Sequence, residues 1–363
     1  MVPCLHTQVL EGNLDAPTTI RLTMRIQLRS FLGAALALCL GAFALIARPA
    51  PVDDDLMAQR RVFPGIGPGL RAVKKGADGK YYVLASPNVG VAVFDSAGKL
   101  LTVIGAAPAD ASAASKANPV HPALTFGEDC DVDKQGNIYV ADRGSNLINI
   151  LSPEGKLLRS IAVNNPISVA ALPEGEVAVT TFRQTQLVTV FAADGRIARE
   201  FGTKEELATR EDLNRYLNLG HIMSDPQGHI YYGYTYLPEP LVRQYDRFGY
   251  GGLDFEFTGL DAYPEAQALR REIVRQEKRE DAPSFHPVLT AFGVDPVNGD
   301  VWMALHNTLL HFDKDGNRRS EYQIYTKDGV RLEANVILVE ENRLLIGSDP
   351  LGVYEFLRPD RNH

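Results

Sequence analysis

At 363 residues, with 45% hydrophobic and 23% charged side chains, the chain has the composition of a folded globular protein and not of a disordered one. A net charge of -8 without any Lys/Arg-rich run lacks the electrostatic footprint of a nucleic-acid binder. Of the three cysteines, Cys4 and Cys39 fall near the N-terminus, which leaves Cys130 alone in the body, so packing and not disulfides must hold the fold.

Residues 1–23 carry neither a signal nor a domain pattern and read as a disordered leader or an extension ahead of the true start, for which Met24 is a candidate. Arg25 and Arg29 then precede an uncharged run from Phe31 to Ala47, and Arg48, Pro49 and Asp53–Asp55 follow it. Positive flank, apolar core and small residues in that order make 24–47 a signal peptide or an uncut signal anchor. Ala42-Phe43-Ala44 offers a cleavage option, whereas retention would leave one transmembrane helix with the remainder outside. Either outcome makes the body extracytoplasmic, periplasmic or secreted, after a linker over 48–58.

The body repeats itself. Asp131-Val132-Asp133-Lys134-Gln135-Gly136-Asn137-Ile138-Tyr139-Val140-Ala141-Asp142 is followed by Leu147–Leu151 and then by Gly155-Lys156-Leu157-Leu158. Ile138, Val140, Ile148 and Ile150 alternate with period two, and the glycines suit turns, so the stretch reads as four short strands. The same plan starts again at Gly79, Gly175, Gly228, Gly299 and Asn342, giving six units at the spacing of roughly 40 residues typical of four-stranded blades.

Here the chain resembles the NHL-repeat family, most closely at Gly136-Asn137-Ile138-Tyr139-Val140-Ala141-Asp142. The resemblance spans about Gln59 to Asp360 as a pattern and implies an all-β fold, a six-bladed β-propeller of four-stranded antiparallel blades over 59–360. Departures occur at Thr180-Thr181 and Tyr232-Gly233, where the second unit has Ala141-Asp142. The sixth unit stops one strand short after Phe356-Leu357, and Arg60-Arg61-Val62-Phe63 is extended in character. That segment is expected to close the ring and so remove an open sheet edge.

Three connections between units are long. Residues 106–125 are Ala/Ser/Pro-rich and read as irregular. Residues 203–217 read as helical from a Thr203/Glu206 capping box, and 262–281 from Pro264 with Leu269 and Ile273 on one face. In a propeller such connections lie on one face, so two short helical insertions should crowd it, and long loops on a rigid scaffold are where sites usually form.

Aligning the units by their first turns places Ala72, Asp129, Ser168, His221, Ala291 and Asn335 at the channel mouth, with Arg71, Glu128 and Thr290 beside them. Glu128, Asp129, His221, Asn335 and Asp349 together supply oxygen and imidazole ligands that could hold a divalent cation such as calcium or zinc, the alternative and favoured reading being a polar, water-filled channel. Asp142, Arg143, Arg183, Tyr236 and His306 follow second strands and are candidate ligand-binding residues. No G-x-S-x-G or H-E-x-x-H motif occurs, and Gly65-Ile66-Gly67-Pro68-Gly69 and the Asp131–Gly136 loop lack the context of phosphate and calcium loops.

The expected function is that of a monomeric, non-catalytic binding propeller that takes a protein, peptide or glycan on its elaborated face, with no required cofactor and no nucleic acid. The alternative is a metal-dependent hydrolase or lyase, gluconolactonase-like or amidating-lyase-like, with a cation at the channel mouth.

Overall fold

Tight turns of one chemical design punctuate the chain. In the second unit Asp133 Oδ1 accepts the N–H groups of Gln135 (2.9 Å) and Asn137 (2.8 Å), and Gly136 takes the left-handed φ of 83° that closes the turn. Asp95, Asp225, Asp246 and Asp313 accept backbone N–H groups at the same offsets. This recurring Asp-to-backbone bond is the physical content of the repeat pattern, since each one returns a strand antiparallel onto its neighbour.

The computed structural model describes residues 55–85, 90–106, 122–182, 185–257 and 263–361. Six sheets follow one another along the chain. Blade 1 is β3 (Ala72–Lys75), β4 (Tyr81–Leu84), β5 (Val91–Phe94) and β6 (Leu100–Ile104); blade 2 is β7 (Gly127–Val132), β8 (Ile138–Asp142), β9 (Leu147–Leu151) and β10 (Leu157–Ala162). Blade 3 is β11 (Pro166–Ala171), β12 (Val177–Thr181), β13 (Val188–Phe191) and β14 (Ile197–Phe201); blade 4 is β15 (Gly220–Ser224), β16 (Ile230–Tyr234), β17 (Leu241–Tyr245) and β18 (Gly251–Glu256). Blade 5 is β19 (Ala291–Val294), β20 (Val301–Leu305), β21 (Thr308–Phe312) and β22 (Arg318–Tyr325), and blade 6 holds β23 (Val336–Val339), β24 (Arg343–Ser348) and β25 (Gly352–Leu357).

The N-terminal segment completes the ring as expected. β2 (Arg60–Val62) pairs antiparallel with β25, Arg60 opposite Glu355 and Val62 opposite Val353, and Arg60 and Glu355 form an ion pair at 2.9 Å. Just before it, β1 (Leu56–Met57) lies parallel on β22, Leu56 opposite Ile324. The segment thus sews blade 6 shut and clips it to blade 5.

Between blades the pleated faces are apolar, and six buried clusters result, one per interface. Val73, Tyr81 and Val83 of blade 1 pack against Val336, Leu345 and Val353 of blade 6 with Phe63 between them. The other five join blades 1–2, 2–3, 3–4, 4–5 and 5–6. At roughly 25 cal/mol per Å² of apolar area these interfaces are the dominant stabilising element. Cys130 is fully buried in one of them, and burial pushes its thiol pKa up, so it behaves as a small apolar side chain.

Two helices interrupt the pattern. α1 (Glu211–Leu217) is shorter than the capping box promised, and its N-cap, Arg210, makes no side-chain cap bond. The reason lies in two asparagines: Asn214 Oδ1 accepts the amides of Leu207 (2.9 Å) and Ala208 (2.8 Å), and Asn218 Oδ1 that of Glu205 (2.7 Å), which holds 205–208 as a loop folded over the helix. α2 (Pro264–Gln276) begins on its proline as expected. Arg210 donates to the carbonyl of Gln276 (2.8 Å) at the C-terminal end of α2, so the two insertions brace each other.

Residues 1–54, and with them the expected signal or anchor, lie outside the described residues, as do 107–121 of the first long connection and Arg183. Among the described residues no helix is long and apolar enough to cross a membrane.

Candidate functional site at the channel mouth

In blades 2, 4 and 5 the connection after the second strand is hydrogen-bonded to a segment that leads into an innermost strand. Arg143 N–H donates to Phe126 O (2.9 Å), Thr235 N–H to Leu219 O (3.0 Å) and Ala334 N–H to His306 O (2.8 Å). These bonds gather both kinds of loop at one end of the strands and make a firm rim around the central channel.

Inside that rim a small cavity of about 70 Å³ is bordered by Arg71, Lys74, Asp129, His221, Thr290 and Asn335, and by Ala72 and Ala291 as the repeat alignment implied. Asp129 Oδ2 accepts from the Ser168 hydroxyl (2.5 Å) and Val169 N–H (3.2 Å), while Oδ1 accepts from Cys130 N–H (2.8 Å). Ser168 Oγ in turn accepts Ile222 N–H (3.1 Å), so one relay crosses blades 2, 3 and 4. Burial pushes the Asp129 carboxyl upward, against the pull of Lys74 and His221. For Lys74, burial works against the ammonium, but Asp131 (3.6 Å away) and Asp129 more than offset it and its pKa rises.

His221 behaves differently. Its ring is open to channel water yet walled in by blades, and that enclosure lowers its pKa despite Asp129 and Glu128 nearby. Its side chain makes no hydrogen bond among the described residues, and the lowered pKa favours the neutral imidazole.

At the outer lip Glu128 is bridged by two guanidinium groups, Arg143 at 2.7 Å and Arg71 at 3.4 Å. Beside this triad stands an aromatic wall. Tyr216 from α1 lies 5.1 Å from Tyr236, 5.7 Å from Phe285 and 6.1 Å from Phe182, centroid to centroid. Phe182, Tyr216 and Tyr236 are half-buried, and the Tyr236 phenol is pushed up to about 12 by burial, Tyr216 and the Glu128 charge. Charged lip and aromatic wall therefore share one rim.

Several residues singled out in the sequence are already engaged. Asp142 is buried and accepts the amides of Thr125 (3.0 Å) and Phe126 (2.7 Å). Asn335 donates to Leu70 O (2.7 Å) and accepts Asp349 N–H (3.1 Å), and Asp349 accepts Gly69 N–H (2.8 Å), which ties blade 6 to the start of blade 1. His306 holds a left-handed φ of 57°, unusual for a non-glycine residue, with Nε2 3.1 Å from Pro287 O, and borders a separate cavity of about 520 Å³ beneath α2.

Among the described residues, the group of three His, Cys, Asp or Glu side chains whose ligand atoms lie within 4.8 Å of one another is Asp300, His311 and Asp360; Glu128, Asp129, His221 and Asp349 form no such group. Asp300 and Asp360 sit at the opposite end of blade 5 from the mouth, with their oxygens committed. Asp300 accepts from His311 (3.0 Å), Asn298 (2.8 Å) and Lys314 N–H (3.0 Å), and Asp360 binds Arg358 through both oxygens (3.0 and 2.6 Å). This is an ion-pair network, with Arg358 and Asp295 fully buried at its centre.

Lys74, Tyr216 and Phe182 were not singled out in the sequence. The one available signal was Tyr216 standing between Leu213 and Leu217 on a short helix, which reads as core.

In fold the chain is similar to a streptogramin B lyase, with 13% identity over 81% of this chain and 85% of that one and a TM-score of 0.50. It is likewise similar to a hydrazine synthase from Kuenenia stuttgartiensis, with 9% identity, 81% and 96% covered and a TM-score of 0.50. A catalytically inactive histidine variant of virginiamycin B lyase from Staphylococcus aureus, with quinupristin, aligns at 13% identity over 81% and 82% with a TM-score of 0.49. No protein-family model and no curated protein matches the chain at the sequence level. At such identities a likeness reports fold and not chemistry, and the six-bladed β-propeller is read from this chain's own six sheets.

Proposed function

We propose that this is a non-catalytic binding propeller that engages a protein, peptide or glycan through its elaborated end. One observation carries the reading: half-buried aromatic faces of Phe182, Tyr216 and Tyr236 stand beside the Arg71–Glu128–Arg143 triad on one rim. Flat aromatic surface next to fixed charge is how binding sites combine contact area with orientation. The uncharged run Phe31–Ala47 and its positive flank support delivery across a membrane, cut or tethered. Screening purified protein against a glycan array and a displayed peptide library tests this reading. The double variant Tyr216→Ala/Tyr236→Ala should bind the best ligand at least tenfold more weakly, about 1.4 kcal/mol or more. Undiminished binding would overturn the rim as the site.

The competing reading is a hydrolase or lyase, favoured by His221, which is neutral and unengaged beside Asp129 as a general base must be. Stoichiometric metal in purified protein that disappears in Asp129→Asn/His221→Ala would shift the assignment to a metalloenzyme. Unchanged metal content in that variant removes the channel as its holder.

A further inference from the structure

In a closed ring of blades the outermost strands are the free edges, and each edge offers unpaired N–H and C=O groups to any further strand. Among the described outer strands all but one carry charge. β10 has Arg159, β14 has Arg199 and Glu200, and β18 has Asp254 and Glu256. β22 has Arg318, Arg319 and Glu321 and is clipped by β1, and blade 6 ends on β2 with Arg60 and Arg61. The exception is β6. It reads Leu100-Leu101-Thr102-Val103-Ile104, and no element of the described residues pairs with its outer side.

Leu100 and Leu101 are each 49% exposed and Val103 37%, with Thr102 exposed between them. A bare edge of large apolar and β-branched residues is what natural sheets avoid unless another strand covers it. A bulge opposite Val93 and Phe94 twists the start of β6, and a bulge can itself blunt an edge. Yet β10, β14, β18 and β22 have bulges against their own neighbours and carry charge as well. In this ring the bulge does not take the place of charge, so the lack of charge on β6 sets that strand apart.

We propose that β6 is an interface for a second copy of this chain, the two β6 strands pairing antiparallel about a two-fold axis at Thr102. Leu101 then lies opposite the second copy's Val103, and Thr102 opposite its own counterpart, cross-strand pairs that stabilise sheets. Charge selects this occupant. Two copies of net charge -8 repel, so a contact between them needs a strip without acids, and β6 is one. The charge next to the strand is Lys99, which is exposed. Across the axis it stands six residues along the pair from its counterpart, about 20 Å. Salt at 0.1 M screens over about 10 Å, so that repulsion is small. The contact is short, and a reversible dimer with a Kd on the order of 10 µM is expected in place of the monomer anticipated from the sequence. Each dimer carries two rims, so a ligand with repeated epitopes gains avidity. The inference is independent of what the rim binds.

The test is sedimentation velocity of the purified full chain in mild detergent, from about 1 to about 100 µM, where monomer should pass into dimer. Thr102→Lys sets two ammonium groups face to face and should weaken the dimer at least tenfold, as should Leu101→Lys/Val103→Lys. An equimolar mixture of Thr102→Lys and Thr102→Glu should dimerise again although neither does alone. That rescue separates charge at the axis from damage to the fold. Leu158→Lys on β10, where the leucine is 56% exposed beside Arg159, should leave the dimer unchanged. A chain that stays monomeric over the whole range overturns the proposal. A dimer indifferent to Thr102→Lys also overturns it, placing the contact elsewhere, and so does a dimer lost in Thr102→Lys that the mixture fails to restore. A dimer weakened equally by Leu158→Lys overturns it too, since the contact would then not be particular to β6.

Discussion

The two ends of the propeller are built from the same strands but on opposite principles. At one end the turns are short, Asp side chains close them, and ion pairs, one of them fully buried, lock neighbouring blades. Arg358 reaches Asp295 between blades 6 and 5 (2.5 Å), and Lys75 reaches Glu340 between blades 1 and 6 (2.5 Å). At the other end three connections are long, two helices are inserted, and the His221 side chain makes no hydrogen bond among the described residues. Under the proposed binding function, the difference separates the groups that hold the fold from those that would meet a ligand. The unengaged His221 side chain lies where the loops are long, and the sealed end supplies the rigidity of the scaffold that carries it.

The comparison breaks first if the ring is not one cooperative unit. Deleting residues 55–63 removes β1 and β2 and exposes the edges of β22 and β25, so both ends should fail together. The expected product is aggregated or poorly soluble protein in size-exclusion chromatography. A soluble monomer with a near-normal thermal midpoint would mean that the N-terminal segment is not the closure on which both ends depend.

The sealed end should be sensitive to mutation and indifferent to ligand. Arg358→Ala leaves the buried carboxylate of Asp295 with Arg361 at 3.5 Å in place of Arg358 at 2.5 Å, and breaking a buried pair costs about 3–5 kcal/mol. Denaturant unfolding should report that loss while ligand affinity at the rim stays within about twofold. An equal loss of binding would show that the two ends are coupled and not divided in their tasks.

How far this division could be read from the sequence depended on where each partner comes from. Strands and blade count were legible because Asp133-to-Gly136 turns and period-two alternation are local, and β2 was legible because the sixth unit lacked a strand. Asp129, His221 and Asn335 were placed at the channel because repeats align. Whether each was free was not legible: Asn335 is consumed by Leu70 and Asp349, and Asp129 by Ser168, contacts made across blades. The start of α1 was misjudged for a related reason, since Asn214 and Asn218 hold the preceding residues by bonds that outweigh a capping box. Tyr216 was hidden by its helical spacing, and only tertiary placement turns it toward Tyr236.

The smallest expected effect concerns pH. Asp300 sits in the sealed end, and although burial acts to raise its pKa, its bonds to His311, Asn298 and Lys314 N–H hold it below the ordinary carboxylate value of 3.8. A depressed pKa in the folded state contributes stability that is present above the unfolded value and is lost as pH falls through the folded one. The thermal midpoint of wild type should therefore decline below about pH 4 with a component that Asp300→Asn lacks, while Asn retains the side-chain shape. At the other end Asp129 has the opposite sign. Burial raises its pKa, so its contribution is present at low pH and is lost as pH rises through the folded value. Subtracting the Asp300→Asn profile from that of wild type isolates the acid-side loss. If the two profiles are parallel down to pH 2, the bonds at Asp300 carry no net charge stabilisation, and the sealed end owes its rigidity to Arg358 and to packing alone.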